Sequence, residues 1–255
     1  NSLLEDTGRQ CIWIGTEGYL FQYFPSTGQM KQTEAFHNNS IKSLALDGNG
    51  YLLAGTDNGL YVYHNDVTPL QHIIHDSRNI QSLTNNIIWN IFADQEHNIW
   101  LGTDYGISLS RYNSALQFIP ISQITGTGDG NQFYSLFRDS KGFYWFGGTN
   151  GLIRFTDPAG DKHNAIWYRM GDKTYPLSHN RIRHIYEDKE QQLWIATDGS
   201  INRYDYATRQ FVHYNIVDST GTYNTNWTYY MFEDNAGHLW ISTCLGGIFV
   251  VDKHR

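Results

Sequence analysis

Six short stretches of this chain alternate apolar and polar side chains and run into an acidic turn: "SLLEDTGRQ", "IKSLALDGNG", "IIWNIFADQEHN", "FYSLFRDSKG", "IRHIYEDKEQQ" and "TYYMFEDNAG". Alternation at period two places every second side chain on one face of a strand. A turn near Asp47, Asp94, Asp139, Asp188 or Asp234 then leads into a second β-rich stretch, so each copy predicts an antiparallel hairpin of strands A and B. Asp side chains cap turn backbones, and Gly50, Gly142 and Gly237 supply a residue that takes positive φ at little cost. Gln95 to His97 and Lys189 to Gln191 lack that glycine, which predicts a different turn type in those two copies.

The second stretch carries a repeated element, "IWLGTDYGISL" from Ile99 in its clearest form. Its anchor positions are Trp13, Leu53, Trp100, Trp145, Trp194 and Trp240, spaced by 40, 47, 45, 49 and 46 residues, with leucine in place of tryptophan in the second copy. A period near 45 belongs to solenoids and propellers. After the anchor, a small residue, Thr and a later Gly predict a second hairpin into strand C, as at Gly102, Thr103 and Gly106. A fourth strand, D, is read in "RQFVHYN", "QHIIH", "LQFIPI" and "AIWYRM". Four antiparallel strands per period make a propeller blade, in which the Trp fills the wedge between blades and Gly with Thr supplies the turn. The fold class expected is all-β: a β-propeller of four-stranded antiparallel blades, with repeat cores at about 1–24, 41–64, 87–112, 133–156, 182–205 and 227–252. Counting six A, six B, six C and five D strands leaves no spare strand to close a ring. This predicts a fragment of a longer chain, either most of one ring or parts of two.

Composition agrees with many short strands: aromatics are 15% of the 255 residues, charged residues only 17%, and there are 24 glycines. The formal net charge of -7, with no local concentration of Lys and Arg, disfavours nucleic acid and anionic membrane surfaces as partners. No apolar run approaches a bilayer span, and residues 1 to 20 lack the pattern of a signal peptide. Cys11 and Cys244 form neither a CxxC pair nor a disulfide framework, and are read as unpaired and partly buried.

With "E-D-x-x-G" ahead of "W-[IFL]-G-T-x-x-G-L-x-x-[YF]", the chain resembles the two-component regulator propeller repeats found in the sensor regions of bacterial hybrid two-component systems, especially those of gut Bacteroides. The resemblance is sharpest in "FYSLFRDSKGFYWFGGTNGLIRF" and "NWTYYMFEDNAGHLWISTCLGGIFVVD" and covers essentially the whole chain. It implies a periplasmic sensor segment, with a transmembrane helix, histidine kinase, receiver and DNA-binding domain elsewhere in the full chain. It further implies an oligosaccharide ligand, control of polysaccharide utilisation and a homodimeric intact sensor. It supplies no ligand-residue motif.

The acidic residues recur once per blade, as a turn requires, whereas a glycosidase needs two particular carboxylates about 5 to 10 Å apart. His72 and His75 of "HIIH" would face opposite sides of a strand, so no metal site is expected, and no cofactor. The face worth testing is the one where D-to-A loops and B-to-C turns gather. Strand phasing places Trp89, Asn90, Tyr105, Asn131, Phe133, Asn150, Arg181, Arg183, Asp198, Trp227 and Tyr229 there. A non-catalytic carbohydrate sensor is the leading reading. The alternatives are a scaffold for protein interaction or dimerisation without a small-molecule site, and a carbohydrate-active enzyme.

Overall fold

A computed structural model describes residues 1–32, 39–64, 67–79, 81–112, 132–156, 165–174, 176–217, 220–221 and 225–253. Among them are 22 strands in six antiparallel sheets and no helix, the all-β propeller architecture that the repeats predict. The chain divides into two compact units, Asn1–Phe133 and Tyr134–Arg255.

In the first unit, β1 (Ser2–Asp6), β2 (Cys11–Gly15), β3 (Leu20–Phe24) and β4 (Gln29–Gln32) form one blade in chain order. The second blade is β5 (Ile41–Leu46), β6 (Leu52–Thr56), β7 (Gly59–Tyr63) and β8 (Pro69–Ile73). The third is β9 (Ile88–Ala93), β10 (Ile99–Thr103) and β11 (Gly106–Ser110). In the second unit, from Tyr134 onward, β12 (Phe133–Arg138, its first residue closing the first unit), β13 (Tyr144–Gly148), β14 (Gly151–Phe155) and β15 (Ile166–Tyr168) form the fourth blade. The fifth is β16 (Ile182–Glu187), β17 (Leu193–Thr197), β18 (Ile201–Asp205) and β19 (Gln210–Tyr214), and the sixth is β20 (Thr228–Glu233), β21 (His238–Thr243) and β22 (Ile248–Asp252). Each A–B and B–C pair is thus the expected hairpin, and strand D is present in blades one, two, four and five. The D strand read in "LQFIPI" falls outside the described residues.

Large side chains between neighbouring blades hold each unit together. Trp13 packs with Ile41, Leu44 and Leu52 of the next blade, Trp145 with Ile182, Ile185 and Tyr204, and Trp194 with Met231, Leu239 and Ile241. Burying each such ring stabilises the unit by roughly 2–3 kcal/mol.

Each of the five anchor indoles also has a fixed polar partner, because the turn Asp accepts its N–H. Trp13 Nε1 donates to Asp6 Oδ2 (3.0 Å), Trp100 to Asp94 (2.8 Å), Trp145 to Asp139 (2.7 Å), Trp194 to Asp188 (2.8 Å) and Trp240 to Asp234 (2.9 Å). In four of the five the other oxygen, Oδ1, accepts backbone N–H groups two and four residues on, as from Lys141 and Phe143 to Asp139, whereas Asp6 Oδ1 accepts the Arg9 N–H. These acids are structural turn elements, as their once-per-blade recurrence predicts.

Two sequence expectations are corrected. The turns lacking glycine do not differ in type: His97 and Gln191 take φ of 63° and 60°, the region Gly50, Gly142 and Gly237 occupy at 79°, 87° and 87°. The backbone hydrogen bonds from His97 to Asp94 and from Gln191 to Asp188 demand that conformation whatever the side chain. The Gly after the anchor does not make the B–C turn. Gly15, Gly55 and Gly147 lie inside strand B, where a Cβ would meet Ile41, Ile88 or Ile182 of the next blade at 2.5, 2.7 and 2.4 Å. Close blade approach therefore selects glycine there. The turn belongs to Thr and the later Gly: Thr56 Oγ1 donates to the Gly59 carbonyl (2.9 Å) and accepts the Asn58 N–H (2.9 Å), and Gly59 has φ of 97°.

Candidate functional site

Near its start, strand A carries a bulge in four blades. Its pairing with strand B shifts between Ile41 and Ser43, between Ile88 and Asn90, between Ile182 and His184, and between Thr228 and Tyr230. The positions that the shifted register skips are Lys42, Trp89, Arg183 and Tyr229. A bulge re-aims the side chain it releases. In every case that side chain turns to the residue 15 positions on, which follows the Thr of the B–C turn.

In the first unit, Lys42 Nζ pairs with Asp57 (2.7 Å) and Trp89 Nε1 donates to Asp104 Oδ1 (2.9 Å). Neighbouring blades interlock, since the Lys42 ammonium lies 4.2 Å from the centre of the Trp89 ring and Gln132 also donates to Asp104 (2.6 Å). Tyr105 sits at the turn beside Asp104 and is 58% exposed, and Asn90 pairs across to Gly102.

In the second unit, Arg183 makes a forked ion pair with Asp198, through Nε (2.6 Å) and Nη2 (3.1 Å). Arg181 Nη1 lies 3.8 Å from the same carboxylate. The Arg183 guanidinium stands 4.9, 5.6 and 5.7 Å from the ring centres of Tyr229, Trp227 and Tyr134, inside the range of cation–π attraction. Trp227 and Tyr229 stack with centres 6.1 Å apart and planes 23° from parallel, and remain 38% and 40% exposed. Burial works against the charge of Arg183, but the Asp198 hydrogen bonds and charge hold its pKa above the ordinary value. Burial raises the Tyr229 phenol, and a hydrogen bond with Cys244 adds to that.

Five of the eleven expected residues, Arg181, Arg183, Asp198, Trp227 and Tyr229, therefore form one constellation. Trp89 and Tyr105 lie at the matching position of the first unit. Asn150 is at the fourth blade's B–C turn, where its carbonyl accepts from Arg169 (3.3 Å). Phe133 is not a surface residue: its ring is 1% exposed and its carbonyl would lie 2.6 Å from a Cβ on Gly102, so it is core. Asn131 lies outside the described residues. His72 stacks on Tyr61 and His75 meets the Leu83 carbonyl, so the two do not converge. Cys11 and Cys244 are free thiols, the first buried.

Sequence reasoning missed Lys42, Asp57, Asp104, Tyr134 and Cys244. A usable signal was present in the 15-residue spacing between a charged or aromatic residue that breaks the alternation of strand A and the residue after the Thr of the turn. Chemically, the constellation offers two part-exposed aromatic faces beside a fixed array of charged donors and acceptors.

Residues 82–105, 127–150 and 176–199 match the two component regulator propeller family. A solved structure from B. thetaiotaomicron, described as the extracellular domain of the hybrid two component system BT4673, is 94% identical over 100% of this chain, with a TM-score of 0.53. This chain spans 34% of that one. The extracellular domain of BT3049, from the same organism, shares the fold at 23% identity and a TM-score of 0.76, over 99% of this chain and 34% of its own. Histidine kinase P4 of Formosa agariphila is 26% identical over 240 residues, which are 84% of this chain and 16% of that protein. The chain thus spans about a third or less of each of these relatives.

Proposed function

This chain carries two component regulator propeller repeats, and from that premise we propose that it is a non-catalytic segment of the periplasmic sensor region of a hybrid two-component system. It binds an oligosaccharide at the bulge-and-turn face, and that binding regulates polysaccharide utilisation. The observation that carries the reading is the Arg183 constellation, where Trp227 and Tyr229 keep exposed faces while Asp198 and Arg181 fix the charged groups beside them. The extracellular relatives support the location. Binding rather than turnover fits the five turn acids paired with anchor indoles, whose oxygens are engaged by those indoles and by backbone N–H groups.

A ligand signals only by favouring one arrangement of the sensor over another. The test is the melting temperature of the sensor region against purified oligosaccharides of defined length. Saturation at 100 times the dissociation constant stabilises by about 2.7 kcal/mol. A shift with one glycan class that Trp227→Ala abolishes supports the reading; no shift across a broad panel overturns it.

A second reading, a protein-interaction surface, has its own observation. Tyr230, Phe232, Ile248 and Val250 share one exposed face of the sixth sheet, as the pairings of Phe232 with Trp240 and of Trp240 with Val250 require. It predicts a molecular mass that depends on concentration and does not respond to glycans.

A further inference from the structure

The second blade departs from the repeat at one place, and the departure leaves a cavity. Leu53 stands where the other five blades have Trp, and its side chain packs with Ile88, Ile91 and Ile99 of the third blade, on the side to which Trp13 and Trp194 direct their rings. Beside it lies a cavity of about 340 Å³ within the first unit, walled by Leu53, Leu60, Val62, Leu70 and Ile73 of one blade and Ile99 of the next. Asp47 and Ser110 stand at its polar edge, together with Tyr51 and Gln71.

Asp47 keeps the turn role of its five counterparts, for its Oδ1 accepts the N–H groups of Asn49 (2.9 Å) and Tyr51 (2.7 Å). Its Oδ2, the atom that receives an indole N–H at 2.7–3.0 Å in the other five blades, receives no hydrogen bond from any described residue. The protein therefore shows five times over which group fits the combination of an apolar wedge and a carboxylate oxygen at its rim. A volume of this size lies within the range of small-ligand pockets.

We propose that the Leu53 cavity is a binding site for a small free indole, a planar apolar bicycle whose N–H donates to Asp47 Oδ2. The ring occupies the wedge between the second and third blades, and the carboxylate fixes its orientation. Apolar walls give affinity, while the single charge-assisted hydrogen bond separates an indole from a naphthalene-like hydrocarbon of the same shape. The site is separate from the glycan face and does not depend on it.

The test uses indole as probe, titrated into this chain by calorimetry and by ligand-observed NMR. Saturable one-site binding is expected, weakened about tenfold for 1-methylindole, which has no N–H. Leu53→Trp fills the wedge with the repeat's own side chain and is expected to abolish indole binding while raising the melting temperature. Asp47→Asn, with a neutral acceptor in place of the carboxylate, is expected to narrow the gap between indole and 1-methylindole. Equal affinity for the two probes, binding that survives Leu53→Trp in a folded protein, or no saturable binding up to the solubility limit of indole each overturns the proposal.

Discussion

Arg183 and Asp198 face each other across a bulged hairpin, joined by two parallel hydrogen bonds of 2.6 and 3.1 Å with both side chains largely withdrawn from water. A planar guanidinium matches a carboxylate in this geometry and a lysine ammonium does not. Arg183→Lys should therefore keep the charge but lose the fork, destabilising the fold by about 1 kcal/mol in urea titrations. A double-mutant cycle with Asp198→Asn should return a coupling energy of roughly 1–3 kcal/mol. A coupling near zero would mean that the pair is held by its surroundings rather than by its own attraction.

The rings beside that pair answer a different question. Trp227 and Tyr229 are only partly buried, so truncating either removes little packing. Under the proposed oligosaccharide reading, Trp227→Ala and Tyr229→Ala should each lower affinity at least tenfold while costing no more than about 1.5 kcal/mol of stability. Loss of stability without loss of glycan response would assign both rings to the scaffold.

His184 reports on the fold through pH. It stacks on Tyr230 with ring centres 4.1 Å apart, and its Nδ1 accepts the Met231 N–H (3.2 Å), which requires the neutral ring. Desolvation lowers its pKa from 6.5 to about 4. Between those values the unfolded chain binds more protons than the folded one, so the contribution is complete above pH 6.5 and is lost as pH falls towards 4. Discounted for the ring's partial exposure, this amounts to about 1–3 kcal/mol. Unfolding free energies at pH 7 and 4.5 should differ by that amount in the wild type, and the difference should shrink in His184→Gln.

Much of this architecture is written in local periodicity. Alternation, turn acids and the Trp spacing depend on neighbours within one hairpin, so strands A to C could be read from the chain. What escaped were features set between blades. Gly147 looks like a turn residue until Ile182 is seen against it, and Phe133 looks like a loop aromatic until Gly102 is found beside its carbonyl. The proximity of Arg183, Asp198, Trp227 and Tyr229 was legible because phasing alone places them at one end of the blades. Lys42 and Asp104 stand at the same bulge and turn positions as Arg183 and Asp198, but the contacts that mark them, Lys42 with Asp57 and Trp89 with Asp104, join residues 15 positions apart, which period-two reasoning does not foresee.

The two turns without glycine give a test in the opposite direction. Gln191 holds φ at 60°, a conformation that costs a side-chain-bearing residue roughly 1 kcal/mol more than glycine. Gln191→Gly relieves that strain but adds freedom to the unfolded chain, which offsets part of the gain. A net stabilisation of about 0.5 kcal/mol is expected from thermal melts, and a destabilisation would show that the Gln side chain holds the turn.

Lys253 ties the last blade to the fifth through two acids. Its Nζ lies 2.9 Å from Asp188 and 3.2 Å from Glu233, with the three side chains 4%, 0% and 3% exposed. Burial opposes the charge of Lys253, but its hydrogen bonds to Asp188 and Glu233 raise its pKa above the ordinary value. Burial likewise opposes ionisation of Asp188, and the bonds from Lys253 and Trp194 overcome it, so that its pKa is lowered. Lys253→Met leaves two carboxylates buried without a cation, and breaking such a set costs about 3–5 kcal/mol. The cost should lie near 3 kcal/mol here, because Trp194 still donates to Asp188 and the Lys189 N–H to Glu233. Adding Glu233→Gln should recover part of it by removing one of the stranded charges. A depressed carboxyl pKa stabilises above the unfolded value of 3.8 and ceases to do so as pH falls through the folded value. The gap between Lys253→Met and wild type should therefore hold at pH 7 and close below pH 3.8; a gap unchanged by acid would assign the loss to packing of the lysine stem instead of its charge.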